Sequence, residues 1–145
     1  MCLAIYIGSD KELPCSKWDA KNPAFFVEDI MDSNHDGVEI QFDKKFIYYA
    51  GSYQGCGCGF YYQDYDVGYE QDPEEIEKSK ADVEKLIQYL EDALADNTIQ
   101  LFACWEGMQK NKPDFKGTIK PRDLMNSEFL IDSYNVPELY IIQNL

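Results

Sequence analysis

Two cysteines separated by one residue lie in the most glycine-rich stretch of the chain. The stretch covers residues 46–62 and reads FIYYAGSYQGCGCGFYY, with Cys56 and Cys58 near its centre. A deprotonated cysteine is both a nucleophile and a ligand for soft metal ions. Cys56 and Cys58 are therefore the first candidates for chemistry, as catalytic residues or as a metal-thiolate site.

Each chemical interpretation of this pair needs further residues. Thiol catalysis needs a base, and His35 is the only histidine of the chain. A metal site needs more ligands, for which the sequence offers Cys2, Cys15, Cys104 or His35. A disulfide within the pair is excluded in a flat strand, where side chains on the same face are about 7 Å apart and a disulfide needs about 3.8 Å between Cβ atoms. The competing interpretation is structural: small cysteines pack and the glycines permit close approach of another segment.

The glycines around the cysteines are candidate ligand-binding residues, because consecutive glycines can turn several backbone N–H groups toward an anion. Neither the Walker A pattern nor the GxGxxG pattern is met. The candidate ligand-binding residues are Gly55, Gly57, Gly59 and the neighbouring Tyr53.

A second motif, DSNHDG at residues 32–37, matches the opening of a calcium loop. Oxygen ligands fall at its first, third and fifth positions, and a glycine follows at the sixth. The twelfth position holds an aspartate in place of the usual glutamate, and a strand-like VEIQF follows where a helix should begin. A polar turn is the alternative to a weak calcium site. The candidate ligands are Asp32, Asn34, Asp36 and Asp43.

The formal net charge of −14 excludes the most common electrostatic partners. It would repel nucleic acid and an anionic membrane surface, so we expect neither as a partner. Five cysteines without an export signal indicate reduced thiols and a cytoplasmic location. No cofactor is expected, the oligomeric state is undetermined, and a protein or a small molecule is left as a possible partner.

The elements that must position these residues form one α+β domain over residues 1–145. The strongest signal is a helix from Pro73 to Asp96, which begins with an N-cap acceptor and a proline and carries an apolar stripe. We expect it to cover one face of a mostly antiparallel sheet of five or six strands. A loop is predicted over 110–116 and a short helix over 121–126. The predicted strands are 3–8, 24–30, 38–42, 46–50, 58–62, 98–105 and 138–143, with 51–57 as a hairpin connection between the fourth and the fifth.

The opening CLAIYIGSD, the later FIYYAGSY and the GCGCGF of residues 55–60 resemble a family of uncharacterised bacterial proteins of unknown function. The resemblance covers about the first half of the chain. It implies a bacterial cytosolic protein whose signature is GCGCGF, and it implies no catalytic residue.

Taken together, the sequence does not decide whether the protein is an enzyme. It favours a small acidic cytosolic domain that is non-enzymatic or acts as an interaction module. The alternatives are a thiol-dependent enzyme or metal-thiolate site at Cys56 and Cys58, and a weak calcium site at residues 32–37.

Overall fold

The sheet is built around a strand that begins at the third residue of the chain. A computed structural model describes residues 2–30, 35, 37–62, 72–126 and 137–144. Within it, β1 (Leu3–Ser9) is buried along its whole length, as expected for the apolar run LAIYIG. It lies inside a six-stranded sheet of order β2-β3-β1-β4-β6-β5. The other strands are β2 (Phe26–Asp29), β3 (Phe46–Gly51), β4 (Ile99–Trp105), β5 (Phe115–Ile119) and β6 (Glu138–Ile142).

Strand pairing fixes which residues meet at the start of β1. Both neighbours of β1 run antiparallel to it, so Ile5 lies between Ala50 of β3 and Ala103 of β4. All pairs are antiparallel except β5 with β6, which is parallel. The predicted class, an α+β domain with a mostly antiparallel sheet and one long helix, is confirmed.

The long helix α1 (Pro73–Ala93) covers one face of the sheet. Its start follows from local chemistry: the Asp72 carboxylate accepts a hydrogen bond from the Glu74 N–H at 3.0 Å, and proline occupies the first helical position. Its buried apolar residues pack with Leu3, Ile5 and Ile7 in one core cluster. Those helix residues are Val83, Leu86, Ile87 and Leu90. A second, short helix, α2 (Asp123–Asn126), falls within the predicted 121–126.

The opposite face of the sheet carries a second, smaller cluster around Tyr6 and Phe102. A 3₁₀ helix at Val38–Gln41 packs there through Val38. The predicted strand over 38–42 is therefore wrong. Residues 38–42 cannot pair with β3, because both edges of β3 are already paired, one with β1 and one with β2. The Gln41 side-chain amide donates instead to the carbonyls of Gln109 and Asn111.

The predicted strand over 58–62 is also wrong, because Gly57–Phe60 forms another 3₁₀ helix. With both edges of β3 paired, the chain after β3 cannot return as a hairpin partner. It turns instead toward the start of β1 and toward α1. The predicted loop over 110–116 is corrected at its end, since β5 begins at Phe115.

Candidate metal centre

The segment from Ser52 to Phe60, called here the cysteine loop, is folded around one buried serine. The Ser52 hydroxyl donates to the Cys56 carbonyl at 2.6 Å and accepts from the Gly59 N–H at 3.1 Å. The Ser52 N–H also donates to the Cys56 carbonyl, at 2.9 Å. These bonds hold the residues on both sides of the two cysteines with protein groups alone, so the loop is ordered before any ligand arrives.

A buried carboxylate on α1 fixes the start of the same loop. Asp82, only 3% exposed, accepts a hydrogen bond from the Tyr53 N–H at 2.6 Å, and Lys85 lies 3.8 Å from its other oxygen. Burial raises the pKa of the Asp82 carboxyl, while the Tyr53 N–H and Lys85 act in the opposite direction. The helix thereby ties the cysteine loop to the helix face of the sheet.

Glycine is required at two points of the cysteine loop. At Gly57, an added Cβ would lie 2.9 Å from the backbone oxygen of Leu3, so only glycine lets the loop approach β1 this closely. At Gly55, φ is +84°, a conformation that side chains disfavour. The Trp18 ring lies over Gly55, and its indole N–H donates to the Tyr53 carbonyl at 3.0 Å.

This close approach brings a third cysteine to the pair. Cys2 immediately precedes β1, and the sulfur atoms of Cys2, Cys56 and Cys58 all lie within 4.8 Å of one another. The Leu3 N–H donates to the Cys58 sulfur at 3.2 Å. Residues more than fifty positions apart in the chain thus form one thiol cluster, in which Cys2 is exposed and the other two are half-buried.

The electrostatics of the cluster favour a neutral thiol at Cys56 in the free protein. Burial raises the pKa of Cys56 to about 12; a backbone hydrogen bond from Cys58 acts in the opposite direction, while the Cys58 and Cys2 thiols add to the increase. A thiol in this state is a poor nucleophile near neutral pH, because the thiolate is the reactive form. The raised pKa of Cys56 is therefore unlike that of an activated catalytic cysteine, but a metal ion can displace its proton.

The other ligands suggested by the sequence lie elsewhere. Cys15 is exposed, with its sulfur 3.7 Å from the Leu13 carbonyl. Cys104 is buried in the cluster on the opposite face of the sheet. His35 is hydrogen-bonded through Nδ1 to the Tyr6 hydroxyl at 3.0 Å and packs against Tyr49. Of the four, only Cys2 joins Cys56 and Cys58 among the described residues.

The glycines and Tyr53, predicted as ligand-binding residues, serve the loop itself. The Gly55 N–H donates to the Ser52 carbonyl at 2.9 Å and the Gly59 N–H to the Ser52 hydroxyl. The Tyr53 N–H is taken by Asp82, and its ring lies 5.7 Å from Lys78 Nζ. Because their amides already have protein acceptors, binding of an anion at Tyr53, Gly55 or Gly59 stays a prediction without geometric support.

The calcium motif can be assessed at one residue. Asp32, Asn34 and Asp36 lie outside the described residues. The Asp43 N–H donates to the Gln100 side-chain oxygen at 3.1 Å, after the 3₁₀ helix that replaces the expected strand. The calcium site stays a prediction.

Comparisons with protein-family models, curated proteins and solved structures found no match. The resemblance drawn from CLAIYIGSD, FIYYAGSY and GCGCGF therefore stays a prediction. In the part of the chain that the structure describes, no helix has both the length and the apolar character needed to cross a bilayer.

Proposed function

We propose that the protein binds one soft metal ion through the thiolates of Cys2, Cys56 and Cys58. The observation that carries the proposal is the convergence of three sulfur atoms within 4.8 Å from two distant segments. Thiolates select soft cations such as zinc and monovalent copper over calcium or magnesium.

Preorganisation supports binding over accidental proximity. The Ser52 hydroxyl and the Asp82 carboxylate hold the cysteine loop in place, and the Leu3 N–H points at the Cys58 sulfur. Such an N–H group stabilises a thiolate, as outer hydrogen bonds do in known metal sites. The net charge of −14 adds a general attraction for cations.

A thiol-dependent enzyme has less support. The raised pKa of Cys56 keeps it protonated near neutral pH, and the described contacts of His35 are with Tyr6 and Tyr49. A role as an interaction module stays a prediction, since no contact described here bears on it.

The test is metal binding by the reduced protein with no tag at the N-terminus, where Cys2 lies. We expect one equivalent of zinc or monovalent copper to bind, measured by elemental analysis after gel filtration under anaerobic conditions. C2S, C56S and C58S should each weaken binding by at least about tenfold, because each removes one of three ligands.

C15S is the matched control, since Cys15 is an exposed cysteine outside the cluster. It should bind like the wild-type chain. Circular dichroism and the Tm of each metal-free variant show whether the fold persists. Equal binding by the wild type and by all three cluster variants, with the fold intact, would refute the proposal.

A further inference from the structure

We infer that the metal ion held by Cys2, Cys56 and Cys58 is monovalent copper in a three-sulfur site. The inference rests on the proposed function and goes beyond it by naming the ion. Its basis is the ligand set: among the described residues, the only group able to hold a metal contains three sulfur atoms and neither nitrogen nor oxygen ligands. Monovalent copper is the soft first-row cation that three thiolates satisfy completely.

Zinc would need a fourth ligand, because structural zinc sites are four-coordinate and tetrahedral. The thiols of Cys15 and Cys104 and the imidazole of His35 are not part of the cluster. Glu106 comes near through its backbone, since its N–H donates to the Cys2 carbonyl at 2.8 Å. Its carboxylate, however, accepts a hydrogen bond from the Gln109 amide at 3.1 Å. Solvent would have to complete a zinc site.

The spacing of the sulfurs permits a planar three-ligand site. With metal–sulfur bonds of about 2.3 Å, three sulfurs around a metal in their plane lie about 4.0 Å apart, against about 3.8 Å in a tetrahedron. Both spacings fall within the 4.8 Å that bounds the sulfur separations, so the spacing permits either geometry and the ligand count favours the plane. Charge acts in the other direction, since copper leaves the site one unit more negative than zinc does. The Leu3 N–H and the exposure of Cys2 both ease the negative charge, so the ligand count decides for copper.

The surroundings of the cluster shield a bound ion from water on one side and leave it accessible to a donor thiolate on the other. Cys58 packs against the core between the sheet and α1, which shields one side of the site. Cys2 is exposed, which leaves a way in for the ion from a donor thiolate. An apolar shell around thiolates favours the lower oxidation state of copper.

The experiment is an anaerobic competition in the C15S background, where the exposed thiol outside the cluster is absent. The protein receives one equivalent each of monovalent copper and Zn²⁺, and the bound metals are measured after gel filtration. We expect at least about a tenfold excess of copper. X-ray absorption at the copper edge should then show three sulfur neighbours at about 2.3 Å and no lighter ligand.

Two outcomes would overturn the inference and leave the proposed function standing: zinc retained in place of copper, or nitrogen or oxygen in the first shell of copper. Binding of neither metal would refute both. C2S in the same background is the companion variant, because Cys2 is exposed and precedes β1, so its loss leaves the core intact. It should lower the sulfur count to two, and an unchanged count of three would also contradict the inference.

Discussion

Cys56 and Cys104 have similarly raised thiol pKa values but different neighbours. Burial raises the pKa of both thiols to about 12. Cys104 lies on β4 opposite Ala4, packed in the apolar cluster on the face away from α1. Cys56 lies in a half-buried loop with two more sulfurs within 4.8 Å.

A raised thiol pKa and a metal site are two different properties. A raised pKa records desolvation, which any buried thiol experiences. A metal site requires converging ligands, which, among the residues that the structure describes, only the contact between the cysteine loop and β1 provides. Cys104 is therefore an internal control for effects of burial on Cys56.

The largest expected difference between Cys56 and Cys104 is in the pH dependence of metal affinity, to which Cys56 contributes and Cys104 does not. A metal ion bound by Cys56 must displace its proton, so affinity should rise at least about tenfold per pH unit, or about 100-fold from pH 6 to 8. The rise continues as long as the pH is below the raised pKa of about 12. Competition titrations with a chromophoric chelator of monovalent copper, corrected for its own protonation, measure the slope.

C104A should show the same slope, since the Cys104 proton is not displaced by the metal. An affinity independent of pH in the wild type would contradict the assignment of Cys56 as a ligand. A shallower slope in C104A would mean that Cys104 takes part.

Cys56 and Cys104 should both be alkylated slowly in the metal-free protein, and copper should protect Cys56 alone. In the metal-free protein at pH 7.5, Cys56 should react with iodoacetamide roughly 30-fold more slowly than a cysteine in the unfolded chain, because its raised pKa lowers the thiolate fraction more than it raises nucleophilicity. Cys104 should be slower still, since it is also inaccessible. Peptide mass spectrometry gives both rates.

Addition of one equivalent of monovalent copper should slow Cys56 further and leave the rate at Cys104 unchanged. If copper slows the alkylation of Cys56 and Cys104 equally, the protection comes from general stabilisation of the fold. That result would contradict a specific role of Cys56 as a ligand.

The substitution Gly57→Ala tests the close approach of the cysteine loop to β1, which brings Cys2 to Cys56 and Cys58. Its Cβ would lie 2.9 Å from the Leu3 oxygen, so the loop must move away from β1. We expect a loss of about 1–3 kcal/mol in the free energy of unfolding, measured by urea denaturation, and weaker metal binding.

Gly107→Ala is the matched control, because a Cβ there meets nothing within 4 Å and only the left-handed backbone at φ +94° is strained. It should cost about 1–2 kcal/mol without changing metal affinity. Unchanged affinity in the Gly57 variant would show that close approach to β1 is not needed for the site.

The parts of the fold that sequence predicted are those with local causes. The Asp72 cap, the proline after it and the apolar stripe define α1 without reference to any other segment. By contrast, β5 has exposed residues on both faces, such as Phe115 and Lys116, and exists through its parallel pairing with β6. No strand was predicted at Phe115–Ile119, and the predicted loop over 110–116 covers only its first two residues.

The sequence predicts that cysteines form the candidate site, but it does not predict which third cysteine joins Cys56 and Cys58. The spacing of Cys56 and Cys58 singles out the loop, but the same glycines fit a hairpin and a 3₁₀ helix. Nothing local distinguishes Cys2 from Cys15 as a partner, since both are exposed cysteines near the start of the chain. The choice depends on the non-local contact of Gly57 with the Leu3 backbone.

Each of the two tryptophans of the chain lies next to a residue that adjoins a cysteine of the cluster. The Trp18 ring covers Gly55, next to Cys56, and Trp105 is the strand partner of Leu3, next to Cys2. The protein thus carries two intrinsic fluorophores near the cluster. The arrival of a metal ion can be followed by indole emission in the unmodified protein, without an attached dye.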